Sequence, residues 1–178
     1  GFQFLNNDKI KIVVAASHIY RKNSIGLIEA LNLLSESEKS RIQIDWYGDG
    51  ISPPFFDNSF METKLKLEQY NLSNIIRFYP ATPHIHDKIK EADVVGLFSF
   101  NEGLPNIVCE GMACGKLVIA SNVSDIPLLI KNPQLRFNPN DIASICSTLR
   151  YVLTLKVDNF VLEGGKNREF AVRHFNRD

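Results

Sequence analysis

Glu102 and Glu110 bracket Pro105 in the run Glu102-Gly103-Leu104-Pro105-Asn106-Ile107-Val108-Cys109-Glu110. Pro105 suits a first helical position, where its missing N–H costs nothing, and Gly115 suits a left-handed C-terminal cap. One carboxylate therefore precedes a helix and the other lies beyond its first turn. Helical side chains lean toward the N-terminus, so Glu110 reaches the place that Glu102 faces. An apolar run from Val94 to Phe98 precedes this element and another, Leu117 to Ala120, follows it. The local reading is strand, loop, helix, strand, and a helix start fed by a parallel strand is where α/β proteins hold anions. Phosphate for the backbone amides and hydroxyls for the carboxylates is the profile of a nucleotide sugar. A glycosidase pair is the competing chemistry. It needs two carboxyls about 5–10 Å apart across one bond, which this spacing does not impose. Simple helix-end charge, worth about 0.3–1 kcal/mol, accounts for Glu102 but poorly for Glu110.

The elements that must position these groups alternate along the chain. Apolar runs at Ile10–Ala16, Ile42–Tyr47, Ile75–Tyr79, Val94–Phe98, Leu117–Ala120 and Leu135–Phe137 predict strands. Helix-periodic segments fall between them: Ile25–Leu34, Thr63–Tyr70, His86–Ala92, the Pro105 helix, Asp125–Ile130 and Ile142–Leu153, with a last one from Glu163 to His174. Strands alternating with helices imply right-handed crossovers and a mostly parallel sheet covered on both faces. The expected class is α/β, a Rossmann-like doubly wound domain. Pro53-Pro54-Phe55-Phe56 reads as a surface-loop insertion.

With 178 residues, one domain with a normal core is expected over 1–178. Twenty basic and twenty acidic residues cancel, so no global field draws the chain to nucleic acid or anionic lipid. No apolar stretch approaches a bilayer span and no signal peptide opens the chain, which predicts a cytoplasmic protein. The first residue is Gly, which predicts an excised piece of a longer chain. Cys109, Cys114 and Cys146 lack any C-x-x-C spacing and read as small buried apolar residues. His84 and His86 have no third ligand nearby and read as surface residues at a helix start. No metal site is expected.

The stretch Glu102 to Ser121, E-G-L-P-N-I-V-C-E-G-M-A-C-G-K-L-V-I-A-S, closely resembles the hallmark E-G-F/L-P-N/S-x-x-x-E-A-M-A-x-G-x-P-V-V/I-A-S/T of the retaining group 1 (family 4) GT-B glycosyltransferases. Gly111 replaces the usual Ala, and Lys116-Leu117 replaces the usual residue and Pro. The resemblance runs from the Ile10 strand to Arg168-Glu169-Phe170, similar to a late A-R-E-x segment of that family. It implies the C-terminal, donor-binding half of a GT-B fold, the N-terminal acceptor domain and final returning helix lying outside this chain.

What the resemblance implies for single residues follows position by position. The family's G-R-L-x-x-x-K-G, whose Arg and Lys grip the donor diphosphate, falls on Ala16 to Asn23. Lys22 takes the Lys position, Ser17 stands where the Arg should be, and Arg21 is the neighbour that could replace it. A solvated basic turn is the alternative. Gly48-Asp49-Gly50 matches the family's G-D/E-G-P with Ile51 in place of Pro, so Gly48 and Gly50 become donor-cleft residues; a plain left-handed turn explains them as well. It is not a dinucleotide fingerprint, lacking the third Gly and following the second strand. The loop Tyr79-Pro80-Ala81-Thr82-Pro83 has Pro80 where the family has Gly, and Ala81 and Thr82 are the residues expected at the base. Glu102 is expected at the transferring sugar, as the catalytic residue, and Glu110 at the ribose hydroxyls. Gly103, Leu104, Pro105, Asn106 and Ile107 are expected to offer backbone to the donor.

The expected function is the donor half of a retaining glycosyltransferase. It would take a UDP- or GDP-sugar without cofactor or metal and serve a glycan or lipid-linked acceptor in surface polysaccharide or lipopolysaccharide synthesis. The full protein would be cytoplasmic and bacterial, with at most peripheral membrane contact, and this chain alone would not transfer sugar. Two other classes stay open: a GT-B sugar-nucleotide epimerase, for which no His–Asp–Glu acid/base set is evident, and a non-catalytic nucleotide- or partner-binding domain, encouraged by Ser17.

Overall fold

Six strands make one sheet in the computed structural model, which describes residues 9–50, 57–103 and 105–175. They are β1 (Ile10–Ala15), β2 (Ile42–Tyr47), β3 (Ile76–Tyr79), β4 (Val94–Leu97), β5 (Leu117–Ser121) and β6 (Arg136–Phe137). Their order is β3-β2-β1-β4-β5-β6, and every pairing is parallel. Each residue of β4 and β5 is buried, as expected of strands covered on both faces. The chain builds outward from β1 through β2 and β3, then crosses to β4 on the other side. The carboxyl ends of β1 and β4 thus form the switch point where doubly wound sheets bind ligands.

Eight helices flank the sheet among the described residues: α1 (Ser24–Asn32), α2 (Glu36–Lys39), α3 (Asn58–Gln69), α4 (Ile85–Lys90), α5 (Asn106–Ala113), α6 (Ile126–Leu129), α7 (Ile142–Thr154) and α8 (Val157–Phe175). The cap of α1 does more than cap. Asn23 adopts φ 60°, a left-handed conformation Asn tolerates, and its Oδ1 accepts the Gly26 N–H at 3.1 Å. Its Nδ2 donates to the carbonyls of Phe98 at 3.1 Å and Pro139 at 3.0 Å. One buried side chain therefore fastens the start of α1 to the end of β4 and to the loop after β6.

The helix α5 ends in a Schellman motif. Gly115 at φ 69° donates to Met112 O, and Lys116 N–H donates to Gly111 O. Lys116 then sends its Nζ to the carbonyl of Lys90 at 2.7 Å, a cation at the C-terminus of α4. Burial lowers the pKa of that ammonium, with Asp93 opposing. On the outer side α8 lies directly on the α5 terminus: a Cβ at Gly164 would sit 2.0 Å from Gly115 O.

The elements depart from the sequence reading most at three helix starts and at one helix not expected at all. Helix α3 begins at Asn58 instead of Thr63, because Asp57 accepts the Ser59 N–H at 2.6 Å and caps an earlier turn. Helix α8 begins at Val157 instead of Glu163, and its Gly164 is the contact surface for Gly115. Helix α2, not expected, is a single turn held by a capping box between Ser35 and Glu38. Pro105 is the N-cap and not the first helical residue, at φ −82° and ψ 79°. The sheet among the described residues is wholly parallel where a mostly parallel one was expected. The Pro53–Phe56 insertion and Leu104 lie outside the described residues.

The core is continuous from Ile10 to Ala171, with Trp46, Phe60, Phe98, Phe137 and Phe160 fully buried. The three cysteines are free, Cys146 buried and the others half-buried, and burial pushes the thiols of Cys109 and Cys146 up, which keeps them protonated and inert. No helix among the described residues is long and apolar enough to cross a membrane.

Candidate functional site

The loops after β1, β2 and β3 meet at the carboxyl edge of the sheet and enclose a cavity of about 210 Å³. Its walls include Ser17, Gly48, Asp49, Ala81 and Thr82, so four residues singled out from sequence line one hollow. Parallel pairing continues past the strand ends to bring them there: Ala16 N–H donates to Tyr47 O at 2.9 Å and Gly48 N–H to Tyr79 O at 3.0 Å. The glycine at 48 answers to this contact. A Cβ there would lie 1.8 Å from Ala16 O and 3.1 Å from Ser17 Cα. Gly50 is itself left-handed, at φ 89°, and is not among the residues lining the hollow. Stacked Tyr47 and Tyr79 rings, 4.9 Å apart, stiffen the same rim.

Lys22 and Glu102, eighty positions apart, come together across the switch point. Lys22 Nζ donates to Glu102 Oε1 at 2.6 Å, and the Ser99 hydroxyl donates to the same oxygen. The side chains are only 15% and 12% exposed, so water screens the pair weakly. The backbone supports the contact: Phe100 N–H donates to Arg21 O at 3.0 Å, and Ser124 Oγ donates to Glu102 O at 2.5 Å. Glu102 is thus anchored at both carboxylate and carbonyl. The carboxylate sits on the Lys22 cation, a contact the sequence does not announce.

Glu110 occupies the second turn of α5, half-buried, with no hydrogen bond or ion pair among the described residues. It is an acceptor held on a rigid element with its capacity unspent. Pro105 provides no side-chain cap, and the N–H groups of Asn106 and Ile107 find no acceptor among the described residues. Gly111, the departure from the family's Ala, has a packing cause: a Cβ would approach Val95 Cγ2 to 2.7 Å and Val95 Cβ to 2.9 Å. Helix α5 rides closer to β4 than Ala would permit, which sets the depth of Glu110.

Arg21 is exposed, and its guanidinium has no partner among the described residues; it approaches neither Lys22's partner nor the cavity wall. His84 and His86 are exposed at the start of α4, with His84 Nδ1 3.9 Å from Asp87, and no cluster of three metal-ligating side chains occurs among the described residues. Sequence reasoning missed Ser99, Ser124 and Asp49. Ser99 lies three residues before Glu102, a short-range signal that was available. Ser124, at φ 50°, is placed by a turn after β5 that no local pattern announces. A second hollow of about 240 Å³, lined by Tyr20, Ile25, Ser59, Glu62 and Phe100 among others, opens on the α1–α3 side and contains none of the expected site residues.

Comparison with known proteins agrees with this layout. No curated protein matches the chain. Among solved structures, a glycosyltransferase from Rickettsia africae ESF-5 superposes with a TM-score of 0.80 at 20% identity, covering 96% of this chain and 45% of that one. Anabaena Alr3699/HepE, solved in complex with UDP-glucose, gives a TM-score of 0.82 at 16% identity over 95% of this chain and 45% of that one. The catalytic domain of cholesterol-alpha-glucosyltransferase from Helicobacter pylori gives 0.73 at 17% identity, over 93% and 99%. At these identities the likeness shows the fold, that of GT-B glycosyltransferases, and the chain spans less than half the length of the first two. In sequence, residues 2–166 match the family described as glycosyl transferases group 1. The chain belongs to the glycosyl transferases group 1 family.

Proposed function

We propose that this chain is the nucleotide-sugar-binding half of a retaining glycosyltransferase whose acceptor domain lies elsewhere in a longer protein. The observation that carries the proposal is the single rim formed by the cavity of Ser17, Gly48, Ala81 and Thr82, the Lys22–Glu102 pair and the uncapped start of α5. The cavity takes the base. Glu110 accepts hydrogen bonds from the ribose hydroxyls, and the Asn106 and Ile107 amides with Lys22 take the diphosphate. Glu102 lies beside the sugar. Positive charge that develops there as the nucleoside diphosphate departs meets its carboxylate, while Lys22 and the helix start stabilise the leaving phosphate electrostatically. No metal is required in this scheme. The UDP-glucose bound to Anabaena Alr3699/HepE supports a UDP-sugar as donor. A glycan or lipid-linked acceptor in surface polysaccharide synthesis is the corresponding product class.

Calorimetry with UDP, GDP and ADP tests the reading, and at least one is expected to bind. Transfer by residues 1–178 alone is expected to be absent, because joining donor to acceptor across a cleft contributes about 7–11 kcal/mol of the barrier reduction. Robust transfer by this chain would refute the half-enzyme assignment. A nucleotide-binding domain without catalysis is the second reading, favoured by Ser17 in place of an arginine. It predicts the same nucleotide affinity but no loss of turnover in the longer protein on changing Glu102.

A further inference from the structure

His18 is buried to 1% exposure behind the loops that form the cavity, and is not itself among the residues lining it. Its backbone N–H donates to Asp49 O at 2.7 Å. Its ring Nε2 lies 3.2 Å from Tyr79 O, the carbonyl that also accepts from Gly48 N–H. A carbonyl only accepts, so Nε2 carries the proton and Nδ1 presents a lone pair; that Nδ1 is buried with no partner among the described residues. The ring stacks on Phe60 of α3 at 4.4 Å, meets Phe78 of β3 edge-on at 5.5 Å and tilts against Trp46 of β2 at 6.1 Å. One residue thus joins four elements, its backbone N–H holding the β2 loop and its ring meeting the end of β3, α3 and Trp46 of β2. Its chain neighbour Ser17, with Gly48, Asp49, Ala81 and Thr82, makes the cavity wall. The resembled sequence pattern has Leu at this position, which would fill the aromatic box but leave Tyr79 O without its second donor.

We propose that His18 is a positioning residue for nucleotide binding, its neutral imidazole pinning the cavity loop after β1 to the carboxyl end of β3 while its backbone N–H ties the loop after β2. The inference rests on reading that cavity as the nucleotide site. It carries a pH dependence. A second proton would go to Nδ1, beside the aromatic rings and without a hydrogen-bond partner among the described residues. Burial holds the pKa below the ordinary 6.5; Lys64 of α3 acts in the same direction, and Asp49 of the β2 loop with the Tyr79 carbonyl acts against it. Because the folded value is depressed, the pinned arrangement is fully present above pH 6.5 and is lost as pH falls below it.

The test measures the dissociation constants of UDP and GDP between pH 5 and 8 for the wild type, His18→Gln and His18→Phe. Glutamine brings an amide N–H to the depth of Nε2 and does not titrate; phenylalanine keeps the ring and loses the donor. His18→Phe is expected to bind about tenfold more weakly at pH 7.5, the scale of one lost hydrogen bond. His18→Gln is expected to bind like the wild type at pH 7.5 and to stay flat down to pH 5, where the wild type weakens. Equal affinity of His18→Phe and wild type, or matching pH profiles of His18→Gln and wild type, overturns the proposal. Should His18→Phe fail to fold, the His18→Gln comparison still decides. If the wild type binds none of UDP, GDP and ADP, the donor reading fails separately. Hydrogen exchange at the Gly48 and residue-18 amides then rules on His18: faster exchange below pH 6 in the wild type but not in His18→Gln supports pinning, and equal exchange refutes it.

Discussion

The two sides of the site rim are built by different forces. On the β1–β2–β3 side the loops are tied by backbone hydrogen bonds, Ala16 to Tyr47, His18 to Asp49 and Gly48 to Tyr79, and by a glycine contact that leaves no room for a methyl group. On the β4–α5 side the ties are side chains: Lys22 and Ser99 to the Glu102 carboxylate, and Ser124 to its carbonyl. Backbone ties fix a shape, and a ligand must match it. Side-chain ties can be exchanged, and a diphosphate that takes Lys22 must draw it from Glu102. The first side suits a planar base in an unchanging slot. The second suits a reacting group whose charge changes.

The largest expected effect lies on the backbone-built side. Gly48→Ala forces a methyl group against the Ala16 carbonyl and is expected to cost more than about 4 kcal/mol, in the rare class of severe lesions. Thermal unfolding of the variant checks it; a loss under 1 kcal/mol would show that the loops part easily. On the other side Gly111→Ala sets a helix-propensity gain of about 1 kcal/mol against overpacking on Val95 of about 1–3 kcal/mol. Net destabilisation is expected, relieved by Val95→Ala in the double variant, and denaturant titration of all four proteins reads it.

Glu110→Ala removes a carboxylate without a partner among the described residues. Stability should stay within about 0.5 kcal/mol, whereas nucleotide affinity should fall about ten- to hundredfold for one or two lost charged hydrogen bonds. The smallest effect on affinity is expected at Glu102. Glu102→Gln frees Lys22 from its ion pair, so nucleoside diphosphate should bind as tightly or a few-fold tighter, by roughly 1 kcal/mol at most. In the complete enzyme the same change should lower kcat, an interaction made mainly in the transition state. Weaker diphosphate binding by Glu102→Gln would show that the carboxylate organises the donor site instead of competing for its lysine.

The parallel sheet was legible because each strand is a short apolar run such as Ile10–Ala15 or Leu117–Ser121, separated by helix-periodic segments. The α5 boundaries followed from Pro105 and Gly115, to within one residue. The early turns of α3 were not legible, since the helix is set by the Asp57 cap and not by periodicity, and the early turns of α8 were not, since only Phe160 of Val157–Leu162 is buried and no apolar face repeats there. Within the candidate site, Ser17, Gly48, Ala81 and Thr82 were named singly and found together. The Lys22–Glu102 bond was hidden, because nothing in either neighbourhood states that residues eighty apart share a charge. His18 was hidden for another reason: a histidine in a loop carries no sign that three aromatic rings will enclose it.

The central claim is that this rim holds a nucleoside diphosphate, with Lys22 reading the phosphates. The direct measurement is calorimetry of Lys22→Ala and wild type with a nucleoside diphosphate and with the corresponding nucleoside. The account predicts that Lys22→Ala weakens the diphosphate by about ten- to hundredfold, the loss of a charge-assisted contact of about 1.5–3 kcal/mol, while the nucleoside binds as before. Equal affinity of both proteins for the diphosphate, or an equal loss for diphosphate and nucleoside, would contradict it.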